Sequence, residues 1–205
     1  MFKKIFFFAA FIVFGLLGIT IYQKLTLDDG RLHLIFCDVG QGDAILIRTT
    51  RSLDILVDGG PDERVLNCLG KHLPFWDRKL EMVILTHPHA DHFTGLLTAF
   101  KRYSVLSFVT EKLINQSVGF SQLLKELKTR KLTPQNIYGG DRFTTKDGLI
   151  VQILAPSQSF LETTSPGGEI GESSEFASLV ILVSFGEFDF LLTGDSQVEE
   201  LKEAT

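Results

Sequence analysis

The pattern of hydrophobic and polar positions changes sharply near residue 30. From Ile5 to Gln23, 19 consecutive residues carry no charge, and Lys3 and Lys4 precede them. A helix of about 20 residues crosses a hydrocarbon core of about 30 Å, and the basic flank of such a helix stays in the cytoplasm. We therefore expect residues 1–24 to form a single-pass anchor in the cell membrane, with the remaining chain on the extracytoplasmic side.

Two other interpretations of this segment stay open at the level of sequence. A cleaved signal peptide begins with the same order of basic and apolar residues, although no small-residue cleavage site follows the apolar run. A buried core helix is the third alternative, but core helices rarely lack a polar face over such a length.

After a short polar joint at Leu25–Gly30, strand-length apolar runs alternate with turn residues, which is typical of a folded domain over residues 31–205. The predicted strands are Leu32–Val39, Ala44–Thr49, Leu53–Val57, Glu81–Leu85, Val105–Val109, Arg142–Thr144, Leu149–Ala155, Phe176–Phe185 and Phe188–Leu192. Helical spacing predicts Asp62–Leu73, Phe93–Tyr103, Ser117–Leu132 and Ser196–Glu203. We expect a layered α/β sandwich that opens with three antiparallel strands, has a two-residue hairpin turn at Gly186-Glu187 and contains a long loop at Ser157–Glu175.

Composition and cysteine content restrict the possible functions. The formal net charge is −5, and no run of Lys and Arg is long enough to neutralise several phosphates, which disfavours passive binding of nucleic acid. Cys37 and Cys68 have no C-x-x-C spacing and stand in apolar or helical contexts, so we interpret both as buried thiols.

Three of the five histidines of the chain lie within six residues, directly after a predicted buried strand. His87 and His89 alternate and can share a face, while Asp91 and His92 turn toward a second point. Imidazole and carboxylate together suit Zn²⁺ and also harder ions such as Mn²⁺. A surface loop that merely caps the following helix is the alternative, and the density of histidines argues against it.

Several motifs together resemble one known family. Residues 86–92 (THPHADH) resemble the H-x-H-x-D-H signature of the metallo-β-lactamase superfamily. Residues 38–43 (DVGQGD) and 57–60 (VDGG) resemble its opening strands in the form seen in the competence protein ComEC, and 178–180 (SLV) with 191–195 (LLTGD) are similar to its later strands. The resemblance extends from about Leu32 to the C-terminus and implies an αββα sandwich behind an N-terminal transmembrane helix.

The resemblance also implies roles for individual residues. His87 and His89 would bind a first metal ion, Asp91 and His92 a second, and Asp195 would bridge them. Asp58 would orient a ligand, since imidazole ligands usually need such support. With Asp91, it is our candidate for a catalytic role, and the cofactor would be one or two ions of Zn²⁺ or Mn²⁺.

The carboxylates have ordinary structural interpretations as well. Asp58 stands before two glycines, a common turn signal, and Asp195 could cap the helix predicted at Ser196–Glu203. For Asp43 we favour a structural turn role. His33 and His72 are separated from the cluster in sequence, and we do not expect either to be a ligand.

The sequence departs from the family pattern after His92. The superfamily usually supplies another histidine before the Thr-Gly-Asp turn, and the competence subgroup a His-His-Gly-Ser stretch after it; no histidine follows His92 here. We expect either a C-terminally incomplete copy of the domain or a shorter protein with a weakened site.

The function predicted from these residues is that of a metal-dependent hydrolase using a metal-activated water. Resemblance to the competence family implies a phosphodiester substrate, with DNA at the cell surface as the candidate. A small-molecule lactam or ester is the alternative substrate, because fold alone does not determine function. A non-catalytic or vestigial metal-binding module anchored to the membrane is the alternative outside the enzymes.

Overall fold

The computed structural model describes residues 2–170 and 177–204. Its helices are α1 (Phe2–Leu27), α2 (Arg64–His72), α3 (Ala90–Arg102), α4 (Val118–Thr129), α5 (Gln158–Thr164) and α6 (Val198–Glu203). Its strands are β1 (His33–Phe36), β2 (Ile45–Arg48), β3 (Asp54–Val57), β4 (Lys79–Leu80), β5 (Met82–Leu85), β6 (Ser104–Val105), β7 (Phe108–Thr110), β8 (Gln135–Asn136), β9 (Arg142–Thr144), β10 (Ile150–Ala155), β11 (Val180–Phe185) and β12 (Phe188–Leu192).

The N-terminal helix α1 is long and apolar enough to span a membrane. Its large apolar side chains from Ile5 to Leu25 are between 44% and 77% exposed, so the folded domain does not cover them. A buried core helix is therefore the wrong interpretation of this segment. The helix continues to Leu27, which means that the first residues of the predicted polar joint are helical.

Six strands form the central sheet in the order β1-β2-β3-β5-β7-β8. The pairs β1·β2 and β2·β3 are antiparallel, which confirms the predicted opening, whereas β3, β5, β7 and β8 run parallel to one another. A second, antiparallel sheet has the order β12-β11-β10-β9, and its β11·β12 hairpin turns at Gly186 and Glu187 as predicted. Strands β4 and β6 form a separate parallel pair.

The two faces of the central sheet bury different layers, because successive side chains of a strand point to opposite sides. Leu46 and Leu56 pack under helices α2, α3 and α4, whereas Ile47 and Ile55 pack against the second sheet. Helix α6 contacts β10 of that second sheet. The fold is thus a metallo-β-lactamase-like αββα arrangement, as the sequence predicted.

Two local predictions differ from the structure. The expected strand Val105–Val109 is divided between β6 and β7. The expected loop at Ser157–Glu175 contains helix α5, whose first turn is capped by the Ser157 hydroxyl accepting from the backbone N–H of Phe160. The last residues of that loop and Phe176, the expected start of β11, lie outside the described residues.

Cys37 and Cys68 form a disulfide, so the interpretation of both as free buried thiols is wrong. The two residues are 31 positions apart, one after β1 and the other in α2. Nothing in the local pattern around either cysteine indicates a partner at this separation. The packing of α2 beside the end of β1 brings the two sulfurs together, and that packing is a property of the tertiary fold.

Candidate metal centre

The signature residues follow strand β5, and Asp58 follows its neighbour β3. These two strands are parallel, so their carboxyl ends meet at the same edge of the central sheet. Helix α3 begins within the signature at Ala90 and starts from this edge. The side chain of Asn115 donates a hydrogen bond of 3.0 Å to the carbonyl of Pro88, which holds the loop between β5 and α3.

Asp58 is fully buried and occupies the centre of a hydrogen-bond network. Its carboxylate accepts from the backbone N–H of Thr86 at 2.8 Å, from the Thr86 hydroxyl at 2.6 Å and from Nδ1 of His92 at 2.9 Å. Its backbone has a φ of +56°, a conformation that costs energy for a residue other than glycine and recurs at functional sites. These contacts give Asp58 a role beyond that of an ordinary turn residue.

The network fixes the orientation of His87. Because the Thr86 hydroxyl gives its proton to Asp58, its oxygen can only accept from Nδ1–H of His87, 3.1 Å away. The opposite ring nitrogen, Nε2, is then unprotonated, and it accepts from Nδ1 of His89 at 3.1 Å. Burial, reinforced by repulsion from His92 and His89, lowers the pKa of His87 to about 2, so this ring is neutral at physiological pH.

His92 presents its own Nε2 to the same space. The side chain is fully buried, and Nε2 has no hydrogen-bond partner among the described residues. Burial alone lowers the pKa of His92, but the hydrogen bond and charge of Asp58, together with Asp195 and Asp91, raise it to about 9. A cation at this position would compete with the proton on His92, because a ligating imidazole must be neutral.

Asp195 approaches both rings from the second sheet. Its Oδ2 lies 3.4 Å from Nε2 of His92 and 3.9 Å from Nε2 of His87. The backbone N–H of Asp195 donates to the buried Ser178 hydroxyl at 3.2 Å, and a Cβ on Gly194 would lie 2.2 Å from that oxygen. Glycine at position 194 therefore permits the close turn that places Asp195 beside the two rings. The alternative role of Asp195 as a helix cap does not account for this position.

The other two signature residues lie at the margin of this group. Nδ1 of His89 is 3.1 Å from Nε2 of His87, while Oδ1 of Asp91 is 4.0 Å from Nε2 of His92. Gln41 donates to Oδ2 of Asp91 at 3.2 Å. The ligand atoms of His87, His92 and Asp195 all lie within 4.8 Å of one another, which makes these three the tightest donor group from the predicted set.

Asp43 belongs to the site, although the sequence favoured a structural turn role for it. Its carboxylate lies within 4.8 Å of the ligand atoms of Asp58 and His92. Burial, with a contribution from the charge of Asp58, raises the pKa of Asp43. The backbone carbonyl of Asp43 also accepts from the backbone N–H of Gly60 at 2.8 Å. Asp43 therefore has the predicted structural role in addition to its place beside Asp58 and His92. The position of Asp43 in the DVGQGD motif is the sequence feature that could have indicated its place in the site.

The donors fit a divalent cation. Two buried imidazole nitrogens and a partly exposed carboxylate converge, and one of those nitrogens is otherwise without a partner in the described part of the chain. Nitrogen and oxygen donors of this kind suit Zn²⁺ and Mn²⁺.

Comparison with known sequences assigns the family. A family model described as "Beta-lactamase superfamily domain" matches residues 54–203, which is more than half of the chain. The chain belongs to this superfamily. The match includes Asp58, the whole 86–92 signature and Asp195, so the superfamily assignment covers every candidate ligand. No curated protein sequence gives a significant match.

Solved structures share the fold of this chain. The metallo-beta-lactamase fold protein YhfI from Bacillus subtilis is 16% identical with a TM-score of 0.52, and the match covers 80% of this chain and 61% of YhfI. A HARLDQ-motif mutant of a metallo-beta-lactamase from Cronobacter sakazakii is 11% identical with a TM-score of 0.50, and the match covers 83% of this chain and 70% of that protein. At such identities the likeness shows the fold alone. The chain thus spans about three-fifths of YhfI.

Proposed function

We propose that this superfamily domain is a metal-dependent hydrolase anchored in the cell membrane. One observation supports the proposal above all others: the buried Asp58 orients His92 directly and His87 through Thr86, so that both Nε2 atoms face Asp195. Nε2 of His92 has no hydrogen-bond partner among the described residues, whereas a purely structural histidine would have both ring nitrogens bonded inside the protein. Here the network prepares two nitrogen donors beside a carboxylate, which is the arrangement that metal binding requires.

Within this proposal each residue has a role. His87, His89 and Asp195 would hold a first ion, with Asp195 shared by a second ion at Asp91 and His92. Asp58 is a positioning residue, because both of its oxygens are already occupied by protein donors. When bound, one or two ions of Zn²⁺ or Mn²⁺ supply a Lewis acid that makes water nucleophilic near neutral pH. Asp91, held by a hydrogen bond from Gln41, would be the candidate proton acceptor of the site.

A phosphodiester, and DNA in particular, is the substrate that we favour. The support is the DVGQGD motif, whose Asp43 and Gln41 lie at the centre, together with the THPHADH signature. An acidic chain without a basic stripe would hold such a substrate mainly through metal ions rather than through Lys and Arg. Relation to DNA uptake of the competence type is part of the same proposal.

We further propose that the domain lies outside the cytoplasm. Lys3 and Lys4 precede the apolar helix, and positive flanks favour the cytoplasmic side. The Cys37–Cys68 disulfide supports the same orientation, because disulfides persist in oxidising compartments and are rare in the cytosol. The two observations are independent of each other.

The test uses the full chain in detergent or nanodiscs. Metal content per chain is measured after loading with Zn²⁺ or Mn²⁺. Hydrolysis is followed in parallel with three substrates: fluorescently labelled DNA, a small-molecule phosphodiester and a chromogenic lactam. We expect metal-dependent cleavage of the two phosphodiesters. His89→Ala and Asp195→Ala should remove both bound metal and activity, while the matched control His33→Ala, at the other end of β1, should change neither.

Other outcomes would point to the alternatives. Turnover of the lactam alone would assign a small-molecule hydrolase. Stoichiometric metal without turnover of any substrate would favour a non-catalytic binding module, consistent with the absence of histidine after His92 in the sequence. Metal content that is unchanged in both ligand variants would refute the proposed site itself.

A further inference from the structure

The end of the domain opposite the metal centre lies against the membrane helix. The backbone N–H of Phe75 donates to the Gln23 side chain of α1 at 2.9 Å, and Arg48 donates to the carbonyl of Leu27 at 3.0 Å. Ser52 also donates to Asp28, just after the helix. Three separate segments of the domain thus contact the last turns of α1 or the residues after them.

Arg48 makes this contact rigid. Its side chain is 4% exposed and pairs with the fully buried Asp54 at 2.8 Å while it also donates to Leu27. A buried, doubly bonded guanidinium has little rotational freedom. The orientation of the domain at the end of α1 is therefore defined by specific hydrogen bonds.

Two aromatic residues project from this end. Phe75 and Trp76 lie in the loop between α2 and β4, are 46% and 44% exposed, and stack edge to face with ring centroids 5.0 Å apart. Their hydrogen-bonded neighbour Gln23 closes the uncharged run of α1 and is followed by the exposed Lys24. They are consequently level with the polar end of the membrane-spanning segment.

We propose that the Phe75-Trp76 pair is a second membrane contact, inserted at the level of the lipid headgroups beside α1. Tryptophan is enriched at this depth because its ring is apolar while its indole N–H remains able to bond. The occupant of the surface is the lipid bilayer, and the argument for it is the continuity of the pair with the apolar helix. This inference rests on the proposed membrane anchor.

One consequence concerns the orientation of the metal centre relative to the membrane. Strand β3 begins at Asp54, beside Arg48 and the anchor, and ends before Asp58 in the metal centre. Four residues of a strand at about 3.3 Å each separate the two ends by about 13 Å. With both α1 and the aromatic pair in the membrane, the metal centre faces away from the lipid and toward substrates in solution.

Trp76 is the only tryptophan in the chain, so its own fluorescence tests the proposal without any substitution. The full chain is reconstituted in phosphatidylcholine vesicles that contain lipids brominated either near the headgroup or deep in the acyl chain. We expect a blue-shifted emission and a loss of roughly half or more of its intensity with the shallow bromines, since tryptophan at headgroup depth contacts them. Deep bromines should quench less.

The matched control moves the tryptophan to the opposite end of the domain. Phe36 is 66% exposed at the end of β1 that pairs with Ile45, on the side of the metal centre. In the variant Trp76→Phe with Phe36→Trp, neither brominated lipid should quench the emission. Equal quenching of both tryptophans, or no quenching of Trp76 in vesicles that carry the chain, overturns the inference.

Flotation of the vesicles separates the two proposals. A chain that floats with the vesicles but has unquenched Trp76 retains the anchor and loses the aromatic contact. A chain that does not float in any preparation overturns the anchor, and with it the contact that depends on it.

Discussion

Nδ1 of His92, in the first turn of α3, lies 2.9 Å from Oδ2 of Asp58, which directly follows β3, and both side chains are fully buried. The carboxylate fixes which nitrogen of the ring is free. In the same network Thr86 transmits the effect of Asp58 to His87. One aspartate thereby orients two candidate ligands.

Replacing Asp58 should weaken metal binding although the residue is not itself a proposed ligand. Asp58→Asn introduces an N–H donor opposite groups that already donate, which disturbs both imidazoles. Loss of a partner behind a ligand typically costs 10- to about 100-fold in metal affinity, and we expect that range here. Competition with a fluorescent chelator measures it. Asp62→Asn, which removes a surface carboxylate paired with Arg64, is the control and should bind metal normally.

Asp195→Asn should separate metal binding from folding. The side chain is 43% exposed, so the free energy of unfolding of the metal-free protein should change by no more than about 0.5 kcal/mol. Metal retention should fall strongly, because the substitution removes the carboxylate between the two histidines. Urea unfolding with chelator present and metal analysis after desalting give the two quantities. A large loss of stability without loss of metal would contradict the assignment.

Reduction of the Cys37–Cys68 disulfide should destabilise the domain. It closes a loop between residues 31 positions apart, and native disulfides of small domains contribute about 2–5 kcal/mol. The midpoint of urea unfolding should therefore fall when reductant is added. In the double variant Cys37→Ser, Cys68→Ser the midpoint should be low from the start and insensitive to reductant. If the midpoint of urea unfolding of the natural chain does not change when reductant is added, the cysteines are not paired.

Gly95 permits the closest approach between α3 and the segment after β3. A Cβ at this position would lie 1.9 Å from the carbonyl oxygen of Gly59, next to Asp58. Gly95→Ala should lower the free energy of unfolding by about 1–3 kcal/mol and also weaken metal binding, because the helix must move. The control is Gly70→Ala in α2, where a Cβ meets nothing within 4 Å; it should be neutral or stabilising by up to about 1 kcal/mol. Urea unfolding compares the two variants.

The turn around Asp147 should make stability depend on acid pH. Partial burial alone would raise the pKa of Asp147, but hydrogen bonds from Thr145, Thr49 and the backbone of Arg51 outweigh it and lower the pKa from 3.8 to about 2. The ionised carboxylate thus stabilises the fold above about pH 4, and this stabilisation is lost as the pH falls through about 2.

Comparison with Asp147→Asn measures that contribution. The natural chain should be the more stable at neutral pH, and the difference should disappear between about pH 4 and pH 2. Urea midpoints across this range provide the test. A constant difference for Asp147→Asn would contradict the prediction.

The sequence by itself determined the features that depend on local pattern. The uninterrupted apolar run predicted α1, and the alternation of apolar runs with turn residues predicted the opening antiparallel strands. The density of histidine between β5 and α3 indicated the loop of candidate ligands. These are short-range properties, because a strand or a helix is defined by the period of its own side chains. The αββα fold followed from the motifs of the superfamily.

Only the tertiary structure decided which distant groups meet. The Cys37–Cys68 pair, the membership of Asp43 in the centre and the convergence of Asp195 on His87 and His92 all join separate elements of the chain. For Asp58 the sequence left a ligand-orienting role and a turn role open, and the hydrogen bond to His92 depends on β3 and β5 lying side by side. The physical reason is that such contacts depend on strand order and layer packing, which no local period of side chains encodes.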